Sequence, residues 1–202
     1  MDAAKVTKLL EAVRKGSLTV EEAVERLKGL PYENLGFARL DSHRGLRLGF
    51  PEVILCQGKT LPQIVAITKL SLKQNSDLLL TRASEEVYRA IRRIVKRAEF
   101  NPLARTVIVK RTRQKPTEGR VLIITAGTSD IPVAEEAAVT AATLGSTVEK
   151  LYDVGAAGIH RLLGEAEKLR SARVLVVIAG MDGVLPSVVG GLIDKPVIAV
   201  PT

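Results

Sequence analysis

With 202 residues, 46% hydrophobic and 26% charged, the chain is long enough to bury one large core or two small ones and too apolar to stay disordered. A single cysteine, Cys56, excludes an internal disulfide and a cysteine-rich metal site, and 3% aromatics without Trp argue against a stacking platform for single strands. The net charge of +8 invites an anionic partner, yet no nucleic-acid motif accompanies it and no apolar run approaches the roughly 20 residues of a membrane helix, so a cytoplasmic protein that binds neither nucleic acid nor membrane is expected.

In chain order, Val6, Leu9, Leu10 and Val13 share one helical face, and Gly16 ends that helix. In Thr19-Val20-Glu21-Glu22 the Thr hydroxyl and the last carboxylate are spaced to satisfy free backbone donors reciprocally, as a capping box does. Ala23, Val24 and Leu27 form the next apolar face, closed by Gly29 and Pro31. Gly36–Leu40 and Glu52–Cys56 are apolar enough for short strands bracketing the polar segment Asp41–Arg47. Thr60 and Pro62 open a helix through Ile64, Val65, Ile67 and Leu70. A strand at Asp77–Thr81, a helix at Ser84–Ala98 and a strand at Thr106–Lys110 complete a small α/β domain.

Much of the basic excess lies between Arg89 and Lys115. A solvated helix face followed by a charged linker is the first reading; a site for an anionic small ligand is the second, and a nucleic-acid surface the third. Arg111–Gly119 is charged, holds Pro and Gly and has no apolar anchor. It divides an N-terminal α/β domain over 1–112 from a second domain over 120–202, with 113–119 as the linker.

Beyond it, Val121–Thr125, Thr147–Tyr152, Val174–Ala179 and Val197–Val200 read as near-continuous apolar strands, the pattern of a parallel sheet buried on both faces. Helices at Ile131–Leu144, Ile159–Leu169 and Pro186–Leu192 alternate with them, which predicts an open doubly wound sheet of the Rossmann or flavodoxin-like kind.

Ligands of such sheets bind beyond the carboxyl ends of the strands, where three loops rich in small and polar residues follow one another. In the first, Gly127, Thr128 and Ser129 suit a phosphate at a helix start. Asp130 would oppose a phosphate, so it either binds a ribose hydroxyl, moves a proton or simply caps the helix. In the second, Asp153, Gly155 and Gly158 leave room for a ligand, with His160 and Arg161 entering the helix behind them. The guanidinium fork suits an anion; the histidine is as readily structural as catalytic. The third offers Gly180, Asp182 and Gly183 before another helix. Asp130, Asp182 and His160 are the candidate catalytic groups, and Gly127, Thr128, Ser129, Asp153, Gly155, Gly158, Arg161, Gly180 and Gly183 the candidate ligand-binding positions.

The motifs GTSDIPVAEEA, YDVGAAGIHRLL and AGMDGVLPSVVGGLIDKPVIAVPT resemble the LarB family of nickel-pincer cofactor biosynthesis, whose C-terminal half is similar to PurE, the aminoimidazole-ribotide carboxylase. The likeness covers residues 119–202, and LDSHRGLRLGFPEVILCQGKT resembles the family's N-terminal half, which ordinary purine carboxylases lack. The resemblance implies carboxylation of nicotinic acid adenine dinucleotide at C5 of its pyridinium by carbon dioxide or bicarbonate. The phosphoanhydride is cleaved and AMP released, with magnesium as cofactor, no permanently bound organic cofactor and a homo-oligomeric assembly. It also implies a cysteine nucleophile in a segment following Pro201-Thr202, so the chain is expected to be an incomplete catalytic half, inactive as it stands. Asp182 stands where the family typically has Glu. Cys56, flanked by Val53, Ile54 and Leu55, is expected to be a buried core thiol.

Overall fold

A computed structural model of the chain describes residues 3–28, 32–41, 53–73, 77–110, 117–181 and 183–202. The polar segment 42–47, residues 111–116 of the charged stretch and the candidate Asp182 lie outside the described residues. The chain divides into two compact units, Met1–Glu99 with Val107–Thr112, and Phe100–Thr106 with Arg113–Thr202.

In the first unit, α1 (Ala3–Arg14) and α2 (Val20–Lys28) are joined through the expected capping box. The Glu22 N–H donates to Thr19 Oγ1 at 3.1 Å, and the Thr19 N–H to Glu22 Oε2 at 3.0 Å. The apolar faces are only partly covered: Ala23 is buried, whereas Leu10 and Val24 stay exposed. A ribbon of β1 (Tyr32–Asn34) and β2 (Arg39–Asp41) pairs antiparallel. The strand expected from Gly36 begins three residues later because Gly36, at φ +82°, makes the turn.

A four-stranded sheet has the order β3-β4-β6-β5, built from β3 (Val53–Leu55), β4 (Leu78–Thr81), β5 (Glu99–Asn101) and β6 (Thr106–Val109). α3 (Leu61–Lys73) carries the chain from β3 to its parallel neighbour β4, and α4 (Glu85–Ile94) follows. Ser84 caps α4 by accepting the Val87 N–H. That helix stops four residues short of the expected Ala98, and Glu99–Asn101 forms a strand that period alone did not suggest. Ile64, Leu78, Leu79, Leu80 and Ile91 fill the core.

The second unit is a four-stranded, wholly parallel sheet of order β10-β9-β7-β8. Its strands are β7 (Arg120–Thr125), β8 (Thr147–Leu151), β9 (Val174–Ala179) and β10 (Val197–Pro201). α5 (Ile131–Thr143) covers one face, where Ala134 and Ala138 pack on Ile123 and Ile178. The other face, Leu122, Ile124, Leu175 and Val177, is covered through Leu162, Leu169, Leu185 and Val189. These belong to α6 (Ile159–Leu163), α7 (Ala166–Ser171) and α8 (Val184–Leu192). The doubly wound fold expected from the strand pattern is thus the one observed, and the order of winding reverses between β7 and β9, where such folds place their ligand crevice.

Two expectations need correction. The helix expected over Ile159–Leu169 is broken at Gly164, whose N–H closes the turn on the His160 carbonyl at 3.0 Å; the second piece starts afresh at Ala166. Nor are all four strands buried on both faces. β7 and β9 are central, but β8 and β10 are edges, so Lys150 and Ile198 stand in solvent. Among the described residues no helix is long and apolar enough to cross a membrane.

Candidate functional site

Because the strands of the second unit run parallel, Thr125, Leu151, Ala179 and Pro201 all end at one edge of the sheet. The first loop turns through Thr128–Asp130 in a single 3-10 turn before α5. Asp130 is 6% exposed and both its oxygens are engaged. Oδ2 accepts the Gly127 N–H at 2.9 Å, and Oδ1 accepts the hydroxyl of Thr202 at 2.8 Å. The carboxylate therefore does not cap α5; it reaches back to close its own loop. Thr128 and Ser129 remain exposed at the tip.

Thr202 is the link that sequence reasoning missed. Its N–H donates to the Ala179 carbonyl at 3.3 Å, so it continues β10 beside β9 and brings its hydroxyl to Asp130. Gly180 is glycine for the same reason: an added Cβ would sit 3.0 Å from Thr202 Oγ1 and 3.1 Å from its carbonyl oxygen. In the third loop Met181 is fully exposed with φ +50°, and Gly183 takes φ +64°. The Gly183 N–H closes the turn on the Gly180 carbonyl at 3.1 Å.

The second loop is tied to the first through Thr125. Its hydroxyl accepts the Asp153 N–H at 3.0 Å, and its carbonyl accepts the Val154 N–H at 3.1 Å. Asp153 is held at φ +57°, a left-handed conformation that Asp tolerates better than most side chains. Arg161 Nη1 donates to Asp153 Oδ2 at 2.7 Å, with the two side chains 41% and 50% exposed. Gly158 makes this possible, since a Cβ there would lie 2.6 Å from Arg161 Nε. Gly155 lies so close to the first loop that a Cβ would meet the Ala126 carbonyl oxygen at 2.7 Å. His160 is exposed on α6.

The sheet edge thus gathers Gly127, Asp130 and Thr202 into one hydrogen-bonded group, with Gly180 close against Thr202, and pairs Asp153 with Arg161, with Gly158 close against the guanidinium; Thr125 and Ala126 lie between them. Behind them lies a third group that the sequence did not announce. Glu135 Oε1 accepts Lys150 Nζ at 2.6 Å and Tyr152 Oη at 2.7 Å. Burial raises the Glu135 pKa, but these donors and their charge outweigh it and hold the carboxyl below its ordinary value. Burial and the facing carboxylate push the Tyr152 phenol up, so it stays a donor. The signal was Lys150 and Tyr152 two apart on a strand, hence on one face.

Cys56 belongs to the first unit. It is buried, and desolvation raises its pKa to about 11 against the small opposing pull of Lys59. At neutral pH it is a thiol and a poor nucleophile.

Residues 32–112 match the family described as LarB/PurE-like N-terminal domain, and residues 120–202 match AIR carboxylase. An uncharacterized protein of Methanocaldococcus jannaschii is 37% identical over 204 residues, spanning 96% of this chain and 79% of the relative.

Proposed function

The chain belongs to the LarB family, with a PurE-like AIR carboxylase domain at residues 120–202 that makes it one of a carboxylase-type enzyme family. On that premise we propose that it works on nicotinic acid adenine dinucleotide. C5 of the pyridinium is carboxylated, and water cleaves the phosphoanhydride, giving the carboxylated mononucleotide and AMP.

The observation that carries this reading is the Asp153–Arg161 pair at the carboxyl ends of a parallel sheet. So exposed an ion pair is worth at most about 1 kcal/mol. A charge-assisted bond to a bound anion is worth roughly 1.5–3 kcal/mol. The guanidinium therefore exchanges favourably from Asp153 to a substrate phosphate and frees the carboxylate for a ribose hydroxyl. Backbone at Gly127 and Gly183 lets the ligand approach closely, Gly155, Gly158 and Gly180 let the site's own loops and side chains close on one another, and the Thr128 and Ser129 hydroxyls complete a polar rim.

A pyridinium is electron-poor and does not attack carbon dioxide. A nucleophile adding to the ring makes C5 an enamine carbon, which attacks carbon dioxide; C5 then loses its proton and the nucleophile leaves, restoring aromaticity. His160 and Asp182 are the candidates for taking that proton. Asp130, with both oxygens engaged, serves to hold its loop in place. Among the described residues no three His, Cys, Asp or Glu side chains gather. Magnesium is accordingly assigned to the substrate's diphosphate, which needs no such cage, and no step is routed through it.

Calorimetry separates the readings. The dinucleotide is expected to bind, and Arg161→Ala to weaken it more than tenfold with the fold intact. Preference for an aminoimidazole ribotide would make the chain a purine-type carboxylase instead. Unchanged affinity in Arg161→Ala would remove that residue from the site. Since Cys56, the one thiol of the 202 residues, is un-ionised, the 202-residue chain is expected to bind without carboxylating. Mass spectrometry with dinucleotide, bicarbonate and magnesium tests this: product that disappears in Cys56→Ser would overturn the assignment.

A further inference from the structure

Glu135 is a buried carboxylate that no step above uses. It sits on the second turn of α5, and its partners are Lys150 on β8 and Tyr152 immediately after that strand. The neighbours of Tyr152 on that side, including Ile123, Ala134 and Ile178, are apolar. An ion pair whose carboxylate is buried while its ammonium stays 41% exposed is a weak source of stability, because desolvation of the carboxylate offsets much of the attraction; its better-attested use is to fix one arrangement of the chain.

What the cluster fixes is suggested by where it stands. Tyr152 is the residue before Asp153, the left-handed position whose N–H is bound to Thr125 and whose carboxylate holds Arg161. Glu135 lies five residues after Asp130 on the helix that begins at Ile131. One carboxylate therefore joins the helix behind the first loop to the strand end that launches the second. Tyr152, held at its hydroxyl by Glu135, is the residue that follows β8 and precedes Asp153.

We propose that Glu135, acting through Tyr152 and Lys150, is a positioning residue that sets the Asp153–Arg161 pair and thereby the anion-binding geometry of the pocket. It touches neither ligand nor reacting atom. The proposal deepens the functional reading above, so its test has one arm that needs no ligand.

That arm is amide hydrogen exchange of the full chain without ligand, in the wild type, Tyr152→Phe and Lys150→Met. Tyr152→Phe keeps the ring and removes only the hydroxyl. Exchange at Asp153 and Val154 is expected to quicken at least tenfold, with amides of β7 and β9 unchanged. Lys150→Met should show the same pattern to a smaller degree. Unchanged exchange at Asp153 and Val154, or equal quickening throughout the sheet, would overturn the proposal, because the cluster would then be inert or merely structural.

The second arm is calorimetric affinity for nicotinic acid adenine dinucleotide. Tyr152→Phe is expected to weaken binding three- to tenfold, and to have no further effect once Arg161 is already Ala. An effect that persists undiminished in the Arg161→Ala background would also overturn it. If the wild type binds no dinucleotide, the substrate reading fails, while the exchange result still decides the positioning role.

Discussion

Asp130 and Asp153 occupy equivalent places, each a few residues past the end of a parallel strand, yet they are held in opposite ways. Asp130 is buried, with one oxygen on the Gly127 N–H and the other on the Thr202 hydroxyl. Asp153 is half in solvent, bonded through its side chain to Arg161 and placed by its backbone, whose N–H is given to Thr125. A carboxylate that closes its own loop is expensive to remove and has no oxygen to spare. A carboxylate that holds a mobile guanidinium is cheap to disengage. The difference separates the part of the site that is tied in place from the part that we propose exchanges partners with a ligand.

Removing each carboxylate in turn gives the largest expected contrast. Asp130→Ala strands the Gly127 N–H and unties Thr202, and should cost about 1–3 kcal/mol of unfolding free energy. Asp153→Ala should cost under about 1 kcal/mol, the limit for a screened pair. Urea denaturation of both variants measures it. Equal losses would abolish the distinction between a fixed and an exchangeable carboxylate.

The glycines sharpen the same comparison at slightly smaller cost. A Cβ at 155 would meet a backbone oxygen, Ala126 O at 2.7 Å, so Gly155→Ala must move one loop off the other, at roughly 1–3 kcal/mol. At 158 the obstacle is the end of the flexible Arg161 side chain, which swings away at little cost in stability. Gly158→Ala is therefore expected to leave the thermal midpoint nearly unchanged while weakening dinucleotide binding several-fold. Thermal melts beside calorimetry distinguish them; a large loss of stability in Gly158→Ala would show that its neighbour is not free to move.

Much of this was legible in the residues. Apolar strands separated by helices gave away the parallel sheet, and Thr19–Glu22 specified its own helix start. Small residues after each of the first three strands of the second unit marked the edge where the three loops gather. What escaped notice depends on contacts between distant positions. Thr202 is one residue at a strand end, and only the pairing of β10 with β9 brings it to Asp130. Glu135 reads as an ordinary exposed helix position in PVAEEA until α5 is laid on β8. The break at Gly164 was lost because Leu162 and Leu169 are both buried, which keeps the helical period intact across a discontinuity. Strand Glu99–Asn101 follows a strongly amphipathic helix and lacks the apolar run that would announce it.

The smallest expected effect concerns the buried cluster behind the two loops. The Glu135 carboxyl is held below its ordinary value of 4.5 in the folded chain: burial raises it, but the bonds from Lys150 and Tyr152 lower it further. A group depressed in this way adds stability that is complete above its unfolded value and is lost as pH falls through its folded one. Tyr152, pushed up by burial and by Glu135, keeps its proton across that range, so between the phenol and the carboxylate it is the carboxylate that titrates. Glu135→Gln retains an acceptor for Tyr152 without the charge, and its melting temperature should lie below that of the wild type by a constant interval above pH 4.5. Below that pH the interval should narrow, because the wild type loses its ionised carboxylate while the variant has none to lose. An interval independent of pH down to acid unfolding would mean that the charge on Glu135 does not stabilise the fold, leaving only the geometry of its hydrogen bonds to account for its place there.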